Sequence, residues 1–263
     1  MRTFERYVAI SDSTTEGIDD PYPDGTFRGW ADRLAGKLAE VNPELRYANL
    51  AIRGRLAGQI RAEQLQPAVA LKPDLATVVA GLNDTLRPGF DAQRVQADLE
   101  AMYTALTDVG ATVVGFTMPD PSPFSPIARK IQHRLIAFNE VTREAAERTG
   151  VLLVDLNAYP VASDPRLWSE DRLHANSEGH ARIAAALAEA LELPGADGAW
   201  SEPLPPLPPR GRAEAVVHEV SWAVRFLVPW AIRRLRGRSS GDGITAKRPD
   251  LAPVLDASGA PIS

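Results

Sequence analysis

Strand-like and helix-like patterns alternate along the chain from Tyr7 to Leu193, and that alternation is the strongest constraint on its fold. Tyr7–Ile10, Leu45–Leu50, Leu75–Ala80, Thr112–Phe116 and Val151–Val154 are short apolar runs that predict five strands. Leu75–Ala80 is apolar almost throughout, as a strand covered on both faces must be. Between them lie helical patterns at Phe27–Val41, Leu56–Leu71, Val95–Val109 and Ile127–Arg148, and a last one follows at Ser177–Leu193. Trp30, Leu34 and Leu38 make one stripe, and Ile183, Leu187 and Leu191 another. Ser177 is the expected N-cap of the last helix, and Pro67 is expected to bend the second. Strict alternation implies a parallel sheet with helices on both faces. The expected fold is therefore a three-layer α/β/α sandwich, flavodoxin-like, with five parallel strands in order 2-1-3-4-5.

The pattern changes at Pro194. Residues 1–193 are expected to form the main domain and 194–212 a proline-rich, extended linker. Residues 213–238 form an apolar stripe ending in Arg233, Arg234, Arg236 and Arg238, which predicts an amphipathic basic helix that Pro229 kinks or breaks. Residues 239–263 have little periodicity and predict an irregular tail. Arg210 to Arg238 holds seven arginines against two glutamates. Such a helix is too short and too interrupted to span a bilayer, but suits docking on the body, self-association or lying in an anionic membrane surface.

Whole-chain composition narrows the function. A net charge of −5 argues against electrostatic nucleic-acid binding. The absence of cysteine removes thiol catalysis, disulfides and cysteine-based zinc sites. Met1–Arg6 enters the first strand directly, leaving no room for a secretory signal, so the expected location is cytoplasmic.

Chemistry gathers at the strand ends. Ser11-Asp12-Ser13 follows the first strand, Asn49 to Gly54 the second and Gly81-Leu82-Asn83-Asp84 the third, while Asp171-Arg172-Leu173-His174 precedes the last helix. In an open parallel sheet the carboxyl ends share one edge, so these residues are expected to converge. A serine hydroxyl needs a base, an imidazole is the usual one, and the imidazole needs an acceptor on its second nitrogen. Asp171 and His174, three residues apart, meet that need on a turn. Backbone N–H groups at Ser13 and Gly54 and the Asn83 amide can meet an oxyanion. No metal-ligand spacing and no cofactor motif occur.

These motifs resemble those of the SGNH hydrolases, the GDSL esterase/lipase family, over roughly residues 5–193. The resemblance implies Ser13, Asp171 and His174 as the catalytic triad. It implies Ser13, Gly54 and Asn83 as the oxyanion hole, and a carboxylic ester cleaved through an acyl-enzyme without a cofactor. A thioesterase or acyltransferase would use the same triad, and a membrane-surface or partner-binding protein with a weak esterase body is the rival from another class. Ser11 stands where the family usually has glycine. Either Ser11 is extended and its hydroxyl bonds a neighbouring turn, or it has positive φ and strains the nucleophile. Thr14 replaces a larger apolar residue that is frequent there. Phe124 and Trp168 are candidate walls of the acyl site. His133, His180 and His218 read as structural or solvated, Asp84 as a turn cap, and Asp19, Asp20 and Asp24 as a solvated loop.

Overall fold

The computed structural model describes residues 3–206, 225 and 240–255. Strands β1 (Arg6–Ser11), β2 (Arg46–Asn49), β3 (Leu75–Val79), β4 (Thr112–Phe116) and β5 (Leu152–Val154) are parallel. A sixth strand, β6 (Arg248–Pro253), completes the order β5-β4-β3-β1-β2-β6. All five β3 residues are buried, and the five residues Tyr7–Ser11 of β1 are buried too, which is why these central strands are nearly continuous apolar runs.

Helices cover both faces. Helices α2 (Gly29–Val41) and α7 (Ser177–Ala190) pack together, while α3 (Ala57–Ala70), α5 (Ala92–Asp108) and α6 (Pro126–Thr149) form a second set. Two single-turn helices, α1 (Ser13–Glu16) and α4 (Leu82–Thr85), start where β1 and β3 end. Trp30 on α2 is fully buried and meets Phe116 of β4 edge-on, with ring centroids 5.3 Å apart. Helix α3 is helical across Pro67. Asn176, not Ser177, caps α7: its backbone is extended and its Oδ1 accepts from the Gly179 N–H at 3.0 Å.

Two expectations about the C-terminal third change. Among the described residues the sheet has six strands, because part of the expected irregular tail pairs antiparallel with β2, Arg46 opposite Pro253 and Arg248 opposite Asn49. Pro249 and Pro253 hide this strand from a propensity reading, and an edge strand tolerates proline because one side of its backbone needs no partner. Arg46 Nη2 donates to the Leu251 carbonyl at 2.8 Å, and the Arg248 guanidinium lies over the Tyr47 ring. The pairing covers an otherwise exposed edge of β2. The expected linker is also partly folded. Gly198–Ser201 is a 3₁₀ turn whose Trp200 is buried, with its indole N–H on Glu189 of α7. The expected basic helix at 213–238 lies outside the described residues, apart from Arg225, which pairs with Glu170 at 2.8 Å. Among the described residues no helix is long and apolar enough to cross a membrane.

Candidate active site

The carboxyl edge of the sheet gathers the sequence motifs around one cleft of about 300 Å³, lined by Ser13, Gly54, Asn83, Asp171 and His174. Strand β1 delivers Ser13 to this edge as the first residue of α1, whose N-cap is Asp12. His174 Nε2 lies 2.9 Å from Ser13 Oγ, and His174 Nδ1 lies 2.6 Å from Asp171 Oδ2. Asp171 Oδ1 accepts from the Ser169 hydroxyl at 2.6 Å and from the N–H groups of Leu173 and His174 at 2.9 and 3.0 Å. The carboxylate is thus fixed by its own turn, and only Oδ2 faces the imidazole.

The electrostatics follow from these contacts. Burial works against the charged Asp171, but the hydrogen bond and charge of His174, with Ser169 and the His174 N–H, hold its pKa far below the usual carboxylate range. Burial likewise works against a charged His174. The hydrogen bond and charge of Asp171, joined by Asp19 and Asp12, outweigh it and lift the pKa above 6.5. A base must be neutral to act, so kcat/KM is expected to rise with pH along a limb whose midpoint lies above 6.5. Asp19 favours the imidazolium, so Asp19→Asn should move that limb to lower pH in a pH–rate profile. A limb that does not move would remove Asp19 from the balance.

Asp19 was expected in a solvated loop. It is exposed, yet one of its oxygens lies within 4.8 Å of a carboxylate oxygen of Asp171 and of a ring nitrogen of His174. Asp20 departs further: it is fully buried, pairs with Arg33 at 2.7 Å and Arg28 at 3.1 Å, and accepts from the Gly29 N–H. Burial opposes its charge, but the two guanidinium groups hold its pKa far down.

The other motif residues reach the same edge. Gly81 opens α4 at φ +112°, and a Cβ there would lie 2.6 Å from Val95 and 2.8 Å from Phe138, so only glycine fits. Asn83 Nδ2 donates to Asp12 Oδ2 at 2.9 Å and to the Arg55 carbonyl at 3.1 Å. Asp12 is buried, which pushes its pKa up against its bonds from Thr14 and Asn83. The Gly54 loop is held by Glu16 of α1, whose carboxylate is buried against the Arg53 guanidinium and accepts the Arg53 N–H at 2.9 Å. Asp12 and Arg172 stand inside the sequence motifs, but nothing in the sequence gives them, or Glu16, a role at the site. Arg172 has φ +59° and sends Nη1 to the Phe124 carbonyl at 3.0 Å, tying the Asp171–His174 turn to the loop after β4. Nothing in one sequence marks a left-handed arginine.

Ser11 takes the extended alternative. Positive φ among described non-glycine residues occurs at Asp19, Lys72, Arg172 and Glu192, so Ser11 is not strained. Its N–H and carbonyl are both matched by Gln64 at 2.8 Å, and its Oγ donates to the Val79 carbonyl of β3 at 2.6 Å. Ser11→Gly is therefore expected to lose about 1–2 kcal/mol from the missing hydrogen bond and the added backbone freedom. Thermal melts check this, and a more stable variant would contradict it.

The remaining candidates have structural places. Asp84 accepts from the Ala57 N–H at 2.9 Å at the start of α3, and burial pushes its pKa up to about 6. His180 is buried, accepts from the Trp30 N–H on Nδ1 and donates from Nε2 to the Ile18 carbonyl; burial pushes its pKa down to about 4, so it stays neutral. Trp168 lines the cleft and also, with Thr14 and His174, a small apolar cavity of about 60 Å³. Phe124 packs on Trp168 with ring centroids 5.7 Å apart and is not itself among the residues that line the cleft. His218 lies outside the described residues.

An α/β/α sheet of this order with a serine, an imidazole and a carboxylate in line at its carboxyl edge is the build of an SGNH-type hydrolase. The family model of the GDSL-like Lipase/Acylhydrolase family matches residues 12–182, and the chain belongs to that family and is a carboxylic ester hydrolase. An acetylxylan esterase of Geobacillus stearothermophilus is 28% identical over 209 residues, covering 69% of this chain and 91% of that protein. The fold matches that of LAE5, an alpha/beta hydrolase enzyme from the metagenome of Lake Arreo, Spain, with a TM-score of 0.60, 23% identity and coverage of 72% and 95% of the two chains. It also matches the psychrotrophic esterase EstA from Pseudoalteromonas sp., with a TM-score of 0.55, 19% identity and coverage of 72% and 97%.

Proposed function

We propose that Ser13 attacks the ester carbonyl, that His174 is its general base and that Asp171 fixes the imidazole. The observation that carries this is the unbroken line Asp171 Oδ2–His174 Nδ1, His174 Nε2–Ser13 Oγ, at 2.6 and 2.9 Å. The Ser13 Oγ–C bond forms as His174 Nε2 takes the hydroxyl proton. The carbonyl oxygen becomes an oxyanion beside the Ser13 and Gly54 N–H groups and the Asn83 amide. Both Asn83 amide protons have partners in the free enzyme. An oxyanion would draw the one on Arg55, the longer of the two bonds, while Asp12 keeps the amide in place. Collapse breaks the C–O bond to the alcohol, which leaves with the proton from His174. Water then repeats the attack on the acyl-enzyme, releasing the carboxylic acid and restoring Ser13.

The acyl group we assign is a short to medium alkyl chain, larger than acetyl. Leu82, Leu86, Ile127, Ile131 and Leu135 give the cleft an apolar wall that an acetyl group would leave largely unused. Each methylene buried there is worth about 0.8 kcal/mol, roughly a three- to fourfold gain in kcat/KM. A panel of p-nitrophenyl esters from acetate to octanoate should therefore climb steeply from acetate to hexanoate. A maximum at acetate would move the assignment to small acyl groups such as that named by the acetylxylan esterase relative. Matched thioesters in the same panel separate the thioesterase reading, which a faster thioester would favour.

A further inference from the structure

The C-terminal segment returns to the catalytic edge, and we propose that Gly241 is a positioning residue for the oxyanion hole. The inference rests on the reading of Gly54 as an oxyanion donor. Ser240 lines the cleft together with Ser13 and Gly54. Gly241 is buried, and a Cβ built on it would lie 2.0 Å from the Arg53 carbonyl oxygen and 3.2 Å from its carbon. The requirement comes from this contact, since the φ of Gly241 is not positive. The Arg53 carbonyl and the Gly54 N–H belong to one peptide unit. No described peptide bond is cis, so these two groups point in opposite directions. A backbone pressed against the carbonyl therefore sets the plane, and with it the aim, of the Gly54 N–H.

The neighbouring peptide is held as well. Glu16 accepts the Arg53 N–H at 2.9 Å and pairs with the Arg53 guanidinium, so the preceding peptide plane is fixed from α1. The segment carrying Gly241 is anchored in turn by Lys247. Its Nζ donates to Asp32 at 2.9 Å and to the carbonyls of Phe27 and Arg28 at 2.9 and 2.7 Å, with the side chain 19% exposed. Beyond Lys247 the chain enters β6 and locks onto β2. A strap fastened at one end thus presses at the other on the peptide that aims the oxyanion donor. The C-terminal segment is on this account part of the catalytic body and no appendage to it.

The test uses the full chain. Gly241→Ala adds one methyl group against the Arg53 carbonyl, and Lys247→Met loosens the strap without adding an atom there. Misplacing a catalytic group by a fraction of an ångström to an ångström can cost up to about 100-fold. Both variants are expected to lower kcat on p-nitrophenyl butyrate by about 10- to 100-fold, with KM within about twofold. Inactivation by diethyl p-nitrophenyl phosphate, whose phosphoryl oxygen occupies the oxyanion position, should slow in parallel. Gly36→Ala, where an added Cβ meets open space, should keep wild-type kcat. If Gly241→Ala does not fold, Lys247→Met decides. Wild-type kcat in a folded variant of either kind, or a rise in KM with kcat unchanged, would overturn the proposal. Wild-type turnover that survives Ser13→Ala would instead undo the serine mechanism beneath it, a separate failure.

Discussion

Ser13→Ala should abolish ester turnover while leaving the protein folded. Removing the nucleophile from a serine–histidine–carboxylate unit typically costs about 10⁶-fold in kcat, with a residue supplied by binding and the oxyanion hole. The structure makes the substitution clean. Ser13 Oγ faces His174 Nε2 at 2.9 Å, and the turn is held by other groups: Asp12 accepts the Thr14 N–H and hydroxyl, and Ser11 bonds β3. The loss should therefore appear in kcat, with a thermal midpoint close to that of the wild type. Turnover within about 100-fold of wild type would mean that another group attacks the ester.

Asp171→Asn should cost about 10⁴-fold in kcat, the scale expected when the imidazole is locked in the wrong tautomer. The direction follows from the turn. Asp171 Oδ1 is fixed by three donors, the Ser169 hydroxyl and the N–H groups of Leu173 and His174. An asparagine must keep its carbonyl oxygen at that position to satisfy them, which turns its NH₂ toward His174 Nδ1. That nitrogen must then accept, so the proton moves to Nε2, and the lone pair that would take the Ser13 proton is gone. Asp171→Ala removes the misdirecting amide along with the carboxylate. Less loss in Asp171→Ala than in Asp171→Asn would support the tautomer argument, and equal loss of less than tenfold in both would contradict it.

The parallel core of the fold was legible because its physics is local. Buried parallel strands must be apolar, and Leu75–Val79 and Thr112–Phe116 are read off the sequence within one residue of their observed bounds. The motif residues were legible for a related reason, since β1, β2 and β3 can only deliver their loops to one edge. What escaped depends on contacts between distant segments. β6 carries two prolines and becomes a strand only because β2 offers an edge. Asp20 looks solvated beside Asp19 until Arg28 and Arg33 fold over it. Ser11 looks like a flaw at a glycine position until the Val79 carbonyl of β3 comes within 2.6 Å of its hydroxyl. Gly241 has no motif, and its role rests on an approach to Arg53 from nearly two hundred residues away.

The assignment of Ser13 as the attacking group is tested most directly by labelling the intact protein with a fluorophosphonate and mapping the modified peptide by mass spectrometry. Ser169 and Ser240 also stand at the cleft or beside its histidine turn, so the mapping discriminates between real alternatives. The account predicts one phosphonate per chain, on Ser13, formed at a rate that follows the deprotonation of His174 and absent from Ser13→Ala. Modification of Ser169, Ser240 or any other serine in step with loss of activity, or full activity retained after Ser13 is labelled, would contradict it.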